Sequence, residues 1–452
     1  MSRRNVDLGS GSVGKLLFSL AVPTITSQIV NMLYNLVDRI YIGHIPGDGS
    51  LALTGVGVCL PIIMIISAFS AFVSSGGAPR ASIAMGRGDY DQAQRILGGC
   101  FTLQVGISLV LTAVLLIWNR PLLLAFGASG NTIGYAVQYM QIYALGTLFV
   151  ELTLGLNAFI TAQGFAQVGM KTVLIGAVCN ILLDPLFIFA LDMGVRGAAL
   201  ATVLAQWASF VVCLVYVLRH RDLFGLVRRQ ISFHKDKMVQ ILKLGIPCAV
   251  QMTVVGLSWL AMTFLINAYG VEASAASGIC AKVKDVALLV TIALYTAATT
   301  MVAQCLGAKK FDRASRVVHV AMRLSLAVTA VLILGIELLA PQILSVFHPD
   351  QGTMEIAVRN LRIEILGQIF YASFMVYNAL PMGAGHTMFA LGSSLLNCIV
   401  VRVILALILN HFYGLVGIFW ACAIAPASSV PLGYLYERTG VWRRALVQGE
   451  ES

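Results

Sequence analysis

Gly86-Arg-Gly-Asp-Tyr-Asp-Gln-Ala-Gln-Arg95 returns as Gly307-Ala-Lys-Lys-Phe-Asp-Arg-Ala-Ser-Arg316, 221 residues further along a chain of 452. The same shift pairs Gly146 with Gly367, Asn157-Ala158 with Asn378-Ala379 and Gly164 with Gly385. Small slips add Pro23 with Pro247, and Gly194-Val-Arg-Gly197 with Gly414-Leu-Val-Gly417. The chain is written twice, so its fold is two copies of one unit.

What each copy is made of follows from composition. Hydrophobic residues make up 58% and charged residues 11%, with a mean hydropathy of +0.86, whereas soluble domains are about a quarter charged. Stretches of roughly 20 apolar residues, enough to cross a bilayer, fall at about 16–43, 51–76, 93–118, 133–160, 167–190, 196–218, 239–267, 275–303, 317–340, 357–383, 388–410 and 414–436. The expected fold is an all-α polytopic membrane protein of twelve transmembrane helices. Six spans per copy is an even number, so both copies enter the membrane in the same direction, as two pseudo-symmetric six-helix lobes. The expected division is an N-lobe over 1–218, a charged linker over 219–237, a C-lobe over 238–437 and a tail over 438–452. Transporters of this design bind their cargo where the lobes meet.

Orientation is read from Lys and Arg, which accumulate in short cytoplasmic loops. Arg3, Arg4 and Lys15 precede the first span; Arg80, Arg87 and Arg95 flank the 2/3 loop; Lys309, Lys310, Arg313 and Arg316 flank the 8/9 loop. Both termini are therefore expected in the cytoplasm, with the protein in the plasma membrane. The net charge of +10 is spread over alternate loops, which argues against a nucleic-acid partner. Nine scattered cysteines without CxxC, seven histidines without metal spacing and no GxxxxGK[ST] loop exclude a zinc site and ATP-driven transport by this chain alone.

Two aspartates, Asp38 and Asp184, stand inside the apolar spans. A charge at bilayer depth costs about 2.5–3.5 kcal/mol on insertion scales and marks a functional position. In the first span Gln28, Asn31, Asn35 and Asp38 recur at spacings of three, four and three, one helical face. The fifth span places Asn180 and Asp184 four apart before Pro185, the sixth Thr202 and Gln206, the fourth Glu151 and Asn157. Two carboxylates among amide and hydroxyl oxygens suit a hard cation, with Na⁺ at Asp38, Asn180 and Asp184, or equally a shared proton.

Pro23, Leu33-Tyr-Asn-Leu-Val-Asp38-Arg-Ile-Tyr-Ile-Gly43, Leu51-Ala-Leu-Thr-Gly55 and Asn180-Ile-Leu-Leu-Asp184-Pro185 carry a resemblance. They are similar to the multidrug and toxic compound extrusion (MATE) family, in its bacterial MepA-like branch, over nearly the whole chain. The resemblance implies export of cationic amphipathic drugs and dyes in exchange for inward H⁺ or Na⁺. It implies no enzymatic activity, no cofactor and no nucleic acid, only membrane lipid around a single chain. Residue by residue it puts the coupling site at Asp38, Asn157, Asn180, Asp184 and Thr202. Another branch of the family adds acids in the seventh and tenth spans. Here the seventh has none and the tenth only Glu364, so coupling is expected in the N-lobe.

The expected cargo surface joins Asn31, Tyr34 and Asn35 to a stripe in the tenth span, Glu364, Gln368, Tyr371, Met375 and Asn378, with Gln251 in the seventh. Methionine and aromatic rings beside amides suit varied ligands. Pro23 gives the first span a place to bend, since proline removes one ladder hydrogen bond. Lys282, Lys284 and Asp285 read as a satisfied ion cluster. A flippase of lipid-linked saccharides from the same superfamily is the alternative.

Overall fold

The computed structural model describes Leu8 and residues 10–219 and 235–444, without the side chains of 235–237. Arg3, Arg4, most of the expected linker and the tail from 445 lie outside the described residues.

Twelve helices have the length and composition to cross a membrane. They are α1 (Val13–Gly43), α2 (Gly49–Gly86), α3 (Tyr90–Ile117), α4 (Ile133–Ala162), α5 (Ala166–Ala190), α6 (Gly194–Arg219), α7 (Met238–Asn267), α8 (Val271–Gly307), α9 (Phe311–Ser345), α10 (Gln351–Ala384), α11 (Thr387–Tyr413) and α12 (Leu415–Thr439). The described residues contain no strand. Every apolar stretch drawn from hydropathy is one of these helices, but several run on beyond it. α2 continues ten residues past its drawn end at 76, and α9 starts at Phe311, before the drawn 317. Hydropathy senses where the bilayer ends, whereas a helix ends where its backbone is capped or turned. Beyond α12 the chain stays folded through a 3₁₀ turn at Val441–Arg443, where the buried Trp442 donates its Nε1–H to the Glu437 carbonyl (2.9 Å).

The chain forms two compact units, one of residues 22–245, the other of 8–21 with 246–444. Each unit thus takes the first turns of one helix from the other half of the sequence, and the changeovers sit beside Pro23 in α1 and Pro247 in α7. In the first unit Arg80 on α2 donates to the Gln240 side chain at the start of α7 (2.9 Å). In the second, Arg313 on α9 donates to the carbonyls of Leu8, Ser10 and Gly11. The most enclosed helix of the first unit is α4, which packs on α2, α3, α5 and α6; in the second α8 is most enclosed, packed on α9 and α10. The outward surface is rich in bare leucine, isoleucine and phenylalanine, such as Leu260, Phe264 and Leu338, as a lipid-facing helix requires.

The two copies share their backbone turns. Gly164 and Gly385 both adopt left-handed φ (93° and 83°), as do Gly194 and Gly414 (53° and 59°). Two further pairs break the rule of using glycine there: Gly88 (82°) is matched by Lys309 (56°), and Gly127 (100°) by His348 (47°). A side chain in this region costs about 1–2 kcal/mol, against roughly 0.5–1 kcal/mol for the freedom a glycine loses on folding. Lys309→Gly and His348→Gly should each therefore stabilise the protein by about 0.5–1 kcal/mol. Thermal unfolding of the purified variants checks this, and a lower Tm for both would contradict it.

Candidate functional site

The first unit builds a polar site from α1, α4, α5 and α6. Asp38 sits on α1, where Tyr34 and Arg39 lie near it, and Asp184 on α5, fully enclosed at 0% exposure. The two carboxyls meet at hydrogen-bonding range across the helices. Asn180, one turn before Asp184, donates its Nδ2 to Asp184 Oδ1 (3.4 Å) and to the Thr202 hydroxyl of α6 (3.5 Å). Thr202 in turn donates to the Ala198 carbonyl (3.0 Å). Pro185 follows Asp184 and opens a wide π-turn over Leu186–Ala190. A π-turn loosens the regular hydrogen-bond ladder, a feature that clusters at functional positions.

Three oxygens of this group, Asp38 Oδ1, Asp184 Oδ2 and Asn180 Oδ1, are buried and accept no hydrogen bond from the described residues. Buried polar atoms are nearly always paired. Two touching carboxyls with an amide oxygen beside them therefore have the acceptors that a proton or a hard cation would satisfy. Among the described residues no group of three His, Cys, Asp or Glu could hold a metal ion. A Na⁺ here would have to draw on amide and hydroxyl oxygens besides the two carboxyls.

Asn180 and Thr202 also face a cavity of about 160 Å³ enclosed by the same four helices. Gln28, Asn31 and Tyr34 line it from α1, Asn157 from α4 and Gln206 from α6. Asn157 keeps its own partners, accepting from Thr172 (2.9 Å) and from the Cys213 thiol (3.6 Å). Of the expected coupling residues, then, Asn180 and Thr202 stand beside the carboxyl pair and Asn157 stands on the wall of the adjoining cavity. Asn35 is not among the cavity residues; its Nδ2 donates back to the Asn31 carbonyl (2.7 Å). Glu151 is fully buried on α4 away from this lining, both carboxyl oxygens without a described partner.

One participant was not read from sequence. Tyr139 on α4 lies beside both Asp38 and Thr202 and stacks on Tyr143 at 6.0 Å. Its spacing to Tyr143, four residues on along the same helical face, is the periodic signal that would have placed it on the inner face of α4.

In the second unit the stripe of the tenth span is divided. At Gly367, between Gln351–Leu366 and Gln368–Ala384, the helical ladder tightens, Gly367 N–H bonding to the Glu364 carbonyl while the backbone stays helical (φ −66°, ψ −15°). Glu364, before Gly367, is buried and receives a hydrogen bond from Lys284 of α8, an ion pair closed off from water. Lys284 thus belongs to this pair, while Lys282 and Asp285 form a separate exposed contact at 3.8 Å. After Gly367, Gln368, Tyr371 and Met375 are partly exposed and Asn378 is buried. Gln251 donates to the Ser394 hydroxyl of α11 (2.7 Å).

The sequence pattern of the MatE family matches this chain twice, over residues 23–186 and again over 247–408. The chain is 27% identical over 442 residues to "Probable multidrug resistance protein YoeA" of Bacillus subtilis (strain 168), covering 96% of this chain and 95% of that one. It is 24% identical over 422 residues to "Multidrug export protein MepA" of Staphylococcus haemolyticus (strain JCSC1435), covering 92% and 91%. Its fold is similar to the crystal structure described as MATE in the bent conformation, with a TM-score of 0.90 over 98% of both chains at 22% identity. A multidrug resistance MATE family transporter in an outward-facing conformation gives 0.88 over the same shares at 21%. The duplicated match covers both halves of the molecule and includes Asp38 and Asp184, so this multi-pass membrane protein is a transporter, not an enzyme, and belongs to the MatE family.

Proposed function

We propose that this protein exports cationic amphipathic drugs and dyes across the plasma membrane in exchange for inward H⁺ or Na⁺, with the Asp38 and Asp184 pair as the coupling site. The observation that carries the reading is the pair itself: two membrane-embedded carboxyls in contact, with unpartnered oxygens, at the edge of a polar cavity. Anything neutralising that pair must change how α1 and α5 pack. Asn180 and Thr202 couple the change to the cavity, because they touch Asp184 or its neighbour on one side and line the cavity on the other. Pro23 lies fifteen residues before Asp38 in the same helix, so a shift at the carboxyl would be taken up as bending there. The relatives named for multidrug export and resistance support the cargo class. The Lys and Arg distribution supports cytoplasmic termini, and a single chain holding the complete carboxyl pair supports a monomer as the working unit.

Efflux of ethidium from proteoliposomes, under a Na⁺ gradient alone and an H⁺ gradient alone, tests the reading. One of the two gradients is expected to drive efflux, which also identifies the ion. No efflux under either, from a verified folded protein, would discard drug antiport in favour of a lipid-linked saccharide as cargo.

A further inference from the structure

The second unit carries buried charge of the opposite sign. Lys284 on α8 and Arg402 on α11 are 5% and 4% exposed and both lie against the Trp259 ring of α7, at 5.0 and 5.7 Å from its centroid. Among the described residues Glu364 is the carboxylate in salt-bridge contact with Lys284. Arg402 donates weakly to the Ser258 hydroxyl (3.4 Å), while its Nε is buried without a partner among the described residues. Asn397, five residues earlier across a π-turn over Leu396–Val401, is fully buried with its amide nitrogen and oxygen likewise unpartnered. The cluster therefore holds two cations, one salt-bridged carboxylate and an idle guanidinium N–H inside the spanning region, an arrangement whose missing member is negative. Trp259 is 41% exposed, so the cluster lies one ring from the surface.

The repeat sharpens the contrast. At the 221-residue shift, Arg402 falls one position from the counterpart of Asn180, so the copy of the carboxyl region has become cationic. We propose that the second unit contains a binding site for a single monovalent anion, a halide or a carboxylate group, held by Arg402 with Lys284 over Trp259. Guanidinium and ammonium N–H groups suit either ligand, and Trp259 gives both cations an electron-rich face.

Purified protein in detergent tests this without any transport measurement, so the outcome is independent of the coupling reading. Chloride replaces a bulky sulfonate at constant sodium, and Tm is followed. Wild type should show a saturable rise, because a ligand bound to the folded state alone stabilises it by mass action. Arg402→Gln should need at least tenfold more chloride, and Arg402→Lys, which keeps the charge, should fall between. The absence of a saturable response in wild type, or an unchanged response in Arg402→Gln, overturns the site; the wild-type titration decides alone if the variant does not fold. Rhodamine B and its ethyl ester, which differ in one carboxylate, separate the sources. Competition with chloride by the acid alone supports a carboxylate on the cargo, and saturation by chloride untouched by either dye supports a free anion.

Discussion

Asp184→Asn is expected to abolish gradient-driven export while leaving a folded, membrane-inserted protein. Asparagine keeps the shape and can still accept from Asn180, whose donor now meets an amide oxygen instead of a carboxylate. What it removes is the charge, and with it the capacity of the pair to take up and release a proton or cation in each cycle. Losing a positioned proton-exchanging group typically costs 10²–10⁴-fold in rate, so coupled efflux should fall roughly 100-fold or more. Asp38→Asn should do the same, and the double variant should be no worse than either single one, because the two carboxyls in contact act as a unit. The measurement is dye efflux from proteoliposomes at matched protein levels, with a monodisperse elution profile as the folding control. Additive losses would mean two separate ion sites, and retained export with normal ion dependence would remove the assignment.

The second large effect is on stability. Glu364→Gln should destabilise the protein by about 3–5 kcal/mol, the cost of stranding a buried charge by removing its partner. Here the loss leaves Lys284 and Arg402 against one aromatic ring without the salt-bridge partner of Lys284. The double variant Lys284→Met/Glu364→Leu should recover most of that loss, since replacing a buried pair with packed apolar side chains is often neutral. Thermal unfolding in detergent distinguishes the cases. If Glu364→Gln matches wild type in Tm, the pair is not the enclosed ion contact described above, and Glu364 is free to meet cargo.

Those two effects lie at opposite ends of what could be read in advance. Asp38 and Asp184 are visible to anyone scanning an apolar chain for charges, because a carboxylate in a span is rare enough to stand out. Glu364 is equally visible and reads from sequence as part of the cargo surface, since its span offers a continuous polar stripe. Only the packing of α8 against α10 shows that Lys284 closes on it. Arg402 stands out in the sequence as a cation inside a span, but only its contact with Trp259, 143 residues away in the chain, brings it beside Lys284.

By itself the sequence determined the class, the twelve spans and the duplication. These depend on hydropathy summed over about twenty residues and on repeated turn glycines, which are local properties that survive without knowledge of neighbours. Tertiary structure alone decided which polar groups touch: the meeting of Asp38 with Asp184, the separate partners of Asn157, the loss of Glu364 to Lys284, and the exchange of first turns beside Pro23 and Pro247. The physical reason is that the face a helix turns toward its neighbours, and the depth at which two helices cross, are set by side-chain packing between distant segments. A polar atom in a span must find a partner inside the protein, and the identity of that partner is written in no single stretch of the chain.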